Sequence, residues 1–181
     1  MKPLATGVST TVLSSLLAAC AVEPTIMAME SSSRISRDPE LTRRAMTGNT
    51  LGDFSSLHGS QYTFHAENGQ TFLWYPGNSK IVKGQWKLLV QDDGKPVRCY
   101  KYSSNSYNPV TGLRSGPWRC VQFSGSEFQG SRIIVGDPFE LASGRIPFRM
   151  QKLEHIPPRE IAERIGIRPE NLKTITSVGQ L

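Results

Sequence analysis

The chain has 181 residues, of which 38% are hydrophobic, and a formal charge of +6 at pH 7. That leaves room for one ordinary domain with appendages and supplies enough apolar side chain for a core, which excludes an array of domains. The charge gives a general affinity for acidic surfaces and selects no particular one.

Residues 1–19 have the pattern of an export signal. Lys2 provides a thin positive start, and Leu4 to Ala19 is mildly apolar and uncharged, diluted by Thr10, Thr11, Ser14 and Ser15. The stretch is too short and too weak for a comfortable transmembrane helix. It closes on Leu17-Ala18-Ala19-Cys20, which resembles the lipobox of bacterial lipoproteins. The resemblance implies cleavage before Cys20, lipid on its thiol and anchorage in a membrane. Ala21 in place of the aspartate that marks inner-membrane retention implies the periplasmic face of the outer membrane. The competing reading is an ordinary signal cut elsewhere, such as after Ala28, or an apolar start that is not exported.

Residues 21 to about 37 show little pattern, with Ser31-Ser32-Ser33 followed by Arg34 and Arg37. They read as a flexible tether. Asp38-Pro39-Glu40 is a helix start with Asp as the cap and Pro at the first position, and the helix ends near Met46, before Gly48. Strands then follow at short intervals: Thr50–Ser55, Gln61–Glu67, Gln70–Tyr75, Ile81–Val90, Val97–Tyr102, Trp118–Phe123, Ser131–Val135 and Ile146–Lys152. Asn68-Gly69 and Asp93-Gly94 are hairpin signals. As two-residue turns they pair Tyr62 with Tyr75, Phe64 with Leu73, Val90 with Val97 and Leu88 with Cys99. Cys99 then points inward beside Trp86 and Leu88.

Three cysteines are odd for an exported chain. Lipid on Cys20 accounts for one and leaves Cys99 to pair with Cys120, which sits beside Trp118 in the two-residue period. Two buried free thiols are the bland alternative. The pair would close the polar loop Ser103–Pro117, which carries Tyr107. Between Lys95 and Arg132 six basic residues (Lys95, Arg98, Lys101, Arg114, Arg119, Arg132) face one acid, Glu127. With Tyr107 they form a candidate contact surface for an acidic partner or another envelope protein, against a merely solvated basic face.

Met46-Thr47-Gly48-Asn49-Thr50, the Asn-Gly hairpin, Gly84-Gln85-Trp86 and two later cysteines are similar to a family of small exported bacterial proteins. That family is catalogued as a domain of unknown function. The similarity spans residues 46–123 and implies an envelope location without an activity.

No catalytic constellation emerges. His58, His65 and His155 have no metal-ligand spacing, and there is no His-Glu-x-x-His, Gly-x-Ser-x-Gly, phosphate loop or Gly-x-Gly-x-x-Gly. The reading is therefore non-enzymatic, with no cofactor and no metal. Residues 159–175 resemble a bacterial helix-turn-helix with Gly166 at the turn, which would place Arg168, Asn171 and Lys173 at DNA. Residues 151–181 carry only five basic against four acidic side chains, a weak field for phosphate. A helical hairpin packed through its isoleucines explains the spacing better, and nucleic acid is disfavoured as a partner.

The sequence thus predicts a mainly β protein, an antiparallel β-barrel or sandwich with a short N-terminal helix and a C-terminal helical hairpin. Its parts are a signal peptide (1–19), a lipid-anchored tether with a short helix (20–45), the β-domain (46–153) and the hairpin (154–181). The expected role is binding or envelope structure. The alternatives are DNA binding through 159–175 and a barrel holding a small apolar ligand between aromatic faces.

Overall fold

A computed structural model describes residues 23–108, 110, 112, 114, 116–123, 128 and 132–181. The signal peptide and Cys20 lie outside the described residues. Two helices, α1 (Glu23–Arg37) and α2 (Pro39–Met46), precede the strands β1 (Asn49–Ser55), β2 (Gly59–His65), β3 (Gln70–Trp74), β4 (Val82–Val90), β5 (Pro96–Tyr102), β6 (Arg119–Gln122) and β7 (Ile133–Val135). Helix α3 (Pro158–Arg164) and strand β8 (Thr174–Ile175) follow. All eight strands join one antiparallel sheet in the order β6-β5-β4-β3-β2-β1-β7-β8, curled into a half-barrel. The mainly antiparallel β class is as expected.

Both hairpins differ from the expected register by one residue, and for the same reason. Each loop has three residues. Gly69 N–H donates to Ala66 O at 3.1 Å and Ala66 N–H to Gln70 O at 3.0 Å, while Gly94 N–H donates to Gln91 O and Gln91 N–H to Lys95 O, both at 2.9 Å. Gly69 and Gly94 take φ of 80° and 79°, the left-handed position that closes a type I turn with a bulge. The side chains of Asn68 and Asp93 brace the loops by accepting from Gln70 N–H and Lys95 N–H.

The shift re-sorts the faces. Tyr62 now opposes Trp74 and Phe64 opposes Phe72, so these four aromatics share one face. Tyr62, Phe72 and Trp74 pack there with Ile134, Phe139, Leu141, Met150, Ile156 and Ile161. Cys99 opposes Lys87, and Trp86 opposes Tyr100, so Cys99 lies on the face away from Trp86 and Leu88, contrary to expectation.

Helix α2 is built as expected: Asp38 accepts from the Glu40 and Leu41 N–H groups at 2.9 and 3.0 Å, satisfying donors that the first turn leaves free. The tether reading of residues 23–37 is corrected, because they form α1. Ile35 is buried with Ala45 and Leu51, and with Ile133 and Ile175, on the second face of the sheet, and that burial outweighs the poor helix propensity of the serine run.

Two C-terminal expectations are also corrected. Residues 146–152 carry the alternating apolar side chains of a strand but form no ladder. Phe148 stands edge-on to Trp74 at 5.0 Å and accepts from its indole N–H, so the alternation serves capping. The helical hairpin and the helix-turn-helix are absent: after α3, residues Pro169–Asn171 make one 3-10 turn and residues 174–175 enter the sheet against β7. Lys173 offers its carbonyl to Val135 N–H at 2.9 Å, and Arg168 lies 3.6 Å from Glu170. Among the described residues no recognition helix exists to carry them into a groove. The isoleucine packing does hold, with Ile161 and Ile175 buried.

Gly84 lies opposite Tyr102, and a Cβ there would meet Tyr102 Cδ1 at 2.5 Å and the Lys101 carbonyl at 2.7 Å. Gly94 faces open space. In urea unfolding, Gly94→Ala is expected to lose about 1 kcal/mol through its left-handed backbone alone. Gly84→Ala is expected to lose more, about 2–3 kcal/mol, because the Tyr102 ring must move.

Candidate functional site

The second face of the sheet carries a polar-aromatic ladder from β2 to β5. His65 Nε2 and the Tyr100 hydroxyl share a 2.8 Å hydrogen bond, and the Trp86 ring stands edge-on to His65 at 5.1 Å. The Trp86 indole N–H donates to the Ala66 carbonyl at 3.0 Å. Tyr100 and Tyr102 stack with centroids 6.1 Å apart, and Tyr102 hydrogen-bonds Thr71. Burial, with the Tyr100 hydroxyl nearby, pushes the Tyr102 phenol well above its ordinary value. Burial and the neighbouring Arg98 charge lower His65 to about 3, so this imidazole is neutral at physiological pH and serves as a packed hydrogen-bonding ring.

Beyond Tyr102 the ladder opens into a groove of about 180 Å³. Leu73 and Val82, paired across β3 and β4, supply apolar lining; Gln61, Tyr75, Tyr102 and the loop residues Ser106, Tyr107 and Asn108 supply polar groups. His58 Nδ1 lies 2.5 Å from the Tyr75 hydroxyl, which Asn108 also contacts. Burial raises the Tyr75 phenol above its ordinary value. Among the described residues no lining side chain is a carboxylate, an amine or a guanidinium, and the His58 imidazole is engaged by the Tyr75 hydroxyl, so the groove is chiefly one of hydrogen-bonding capacity.

A second groove, of about 270 Å³, lies on the other face between β1 and residues 155–158. There Arg132 reaches Asp53 at 3.4 Å, and His155 packs on Phe54 with centroids 4.3 Å apart. The Tyr62 hydroxyl is committed to the Ile156 carbonyl at 2.6 Å. These groups brace the segment that caps the core.

The predicted contact surface is dispersed. Lys95 sits in a turn, bonded to Asp93 at 2.6 Å. Arg98 lies on the ladder face with its guanidinium over Phe123 at 5.2 Å, whereas Lys101, three residues along β5, projects from the opposite face. Arg119 stands opposite Tyr100 on the edge strand, Tyr107 bridges to Arg114 in the loop, and Arg132 is at the far side of the sheet near β1. Only Tyr107 lines the neutral groove. Its partners there are not singled out by any spacing in the sequence.

Cys99 and Cys120 form a disulfide with Cα atoms 4.0 Å apart, directly across β5 and β6. Cys99 is fully buried and Cys120 exposed, with Lys87 Nζ 4.5 Å over the neighbouring Trp118 ring. Among the described residues, no group of three or more His, Cys, Asp or Glu side chains could hold a metal ion, and no helix is long and apolar enough to cross a membrane. The apolar-ligand reading finds no support in either groove: Trp74 and Trp86 are packed into the fold, and tyrosines and amides line the opening.

Comparison with protein-family models, with curated proteins and with solved structures gives no match.

His65 makes stability pH-dependent. Its pKa is about 3 in the folded chain against 6.5 for an unperturbed imidazole, so between these values the unfolded chain binds a proton that the folded chain does not. This contribution is complete above pH 6.5 and falls away as pH drops toward 3, by at most about 1.4 kcal/mol per pH unit. Urea unfolding from pH 7 to 4 should show this loss in the wild type and a shallower slope in His65→Gln.

Proposed function

We propose that the chain is an exported protein of the cell envelope, held by lipid on Cys20 at the periplasmic face of the outer membrane. Its β-domain has a binding or structural role rather than a catalytic one. The observation that carries the reading is the Cys99–Cys120 disulfide, because structural disulfides persist in oxidising compartments. With those two cysteines paired, Cys20 is the odd one, and it stands where a lipobox cysteine stands. The half-barrel is read as a binding module, with the neutral groove beside Tyr102 as its site.

The test is metabolic lipid labelling with fractionation. Wild type should carry label and sediment with outer membranes, and Cys20→Ser should lose label and leave the membrane. Absence of label on wild type, with unchanged membrane association of the variant, counts against the anchor.

The disulfide closes a segment with a sequence separation of 21 residues, for which the chain-entropy relation gives about 3 kcal/mol. Cys99→Ser and Cys120→Ser should each cost about 2–5 kcal/mol by urea unfolding. The double variant should cost about as much as either alone, since all three lack the same bond.

A further inference from the structure

We infer that the groove between Tyr75, Tyr102 and the loop 106–108 is a binding site for a neutral, polyhydroxylated ring: a single sugar unit, free or at the end of a glycan. The inference rests on the binding role proposed for the domain and adds the chemical class of the ligand.

Charge comes first. Charged residues make up 20% of the chain, yet among the described residues none of the carboxylate, amine or guanidinium type lines this groove. An ionic ligand would meet only the His58 imidazole, already bonded to Tyr75, and burying its charge unpaired is unfavourable away from water. The hydrogen-bonding groups come second. Gln61, Ser106 and Asn108 present amides and a hydroxyl, each able both to donate and to accept, around the Tyr75 and Tyr102 phenols, whose hydroxyls are bonded to His58 and Asn108 and to Thr71. A sugar hydroxyl needs that same double capacity from its partners.

Shape comes third. Leu73 and Val82 supply apolar contact, and Tyr107, 52% exposed, presents an aromatic face at the rim. A pyranose has an apolar C–H face that packs on such a ring, with its hydroxyls directed sideways. The volume of about 180 Å³ lies below the usual range for drug-sized ligands, which suits a single ring.

The site is also set in advance. His58 Nδ1 and Asn108 both engage the Tyr75 hydroxyl, which fixes the phenol before a ligand arrives. Tyr102 is held by Thr71 and by the space over Gly84. Pre-positioned groups reduce the ordering cost of binding.

The experiment is saturation-transfer NMR on the full chain in a sugar-free detergent, with methyl glucoside, N-acetylglucosamine and glucuronate as probes. At least one neutral sugar should bind in the millimolar range, and glucuronate at least ten-fold more weakly. Tyr107→Ala, at the rim, should weaken binding at least ten-fold with an unchanged thermal unfolding midpoint, and Asn108→Ala, whose side chain also holds Tyr75 and the Val110 N–H, should weaken it at least ten-fold while the chain stays folded. A short N-acetylglucosamine oligomer separates the sources. Saturation concentrated on its terminal unit indicates a glycan end, and stronger binding of the free sugar indicates a soluble ligand; both support the inference. No saturation of any neutral sugar, glucuronate binding as tight as the glucoside, or undiminished binding in both variants would overturn it. Lipid labelling at Cys20 is a separate readout, so a failed sugar site and a failed anchor are told apart.

Discussion

The architecture depends on one buried amide. Asn49 donates to the carbonyls of Arg44 and Ala45 at 3.3 and 3.0 Å, capping the end of α2, and accepts from the Gly136 N–H at 3.1 Å. Thr50 adds a 2.7 Å bond from its hydroxyl to the Gly136 carbonyl. Gly48, in a left-handed turn with φ of 72°, donates to the His65 carbonyl at 2.7 Å. These bonds tie a helix, the first two strands and the end of β7. A buried network of this kind stabilises only when every member is satisfied, and here the side-chain amide is used in both senses. With α2 fixed in this way, Ala45 and Ile35 meet Leu51, and the second core cluster is defined.

How much is legible in the sequence follows the range of the interaction. The Asp38 cap, the strand positions up to β6 and the Cys99–Cys120 pair are readable because each depends on near neighbours or on a small count. Asn-Gly and Asp-Gly locate both turns correctly but leave the loop length open. The bulged three-residue form moves every side chain of the following strand to the other face. Tyr62, Phe64, Phe72 and Trp74 then gather on one face, a grouping that a two-residue turn would split. Helix α1 and strand β8 are not readable, because nothing local favours them. Ile35 and Ile175 acquire their burial from each other's neighbours on the sheet.

The groove is hidden for a different reason. Metal-ligand spacings, catalytic motifs and charge clusters are what stand out in a sequence, and among the described residues the groove has a lone histidine and no carboxylate, amine or guanidinium. His58, Gln61, Tyr75, Tyr102 and Asn108 come from separate strands or their loops, and only the sheet order brings them together. The basic residues are conspicuous but do not converge, since Arg98 and Lys101 differ by an odd number of strand positions and Arg132 lies past β1. Tyr107 stands out as the aromatic in a polar loop. That composition, a ring among serines and asparagines, is the one available signal for the groove.

The last strand carries a kinetic consequence. Strand β8 completes the sheet beside β7, and Ile175 packs with Ile35 and Leu51, while Arg44 bonds to the carbonyl of Leu181. The second core cluster therefore contains residues from both ends of the described chain. Contacts that span so much sequence form late and slowly. With residues 170–181 not yet docked, β7 has an open edge and the cluster around Leu51 is incomplete. Closure of that edge therefore waits on contacts between residues about 140 positions apart in sequence, such as Ile35 with Ile175.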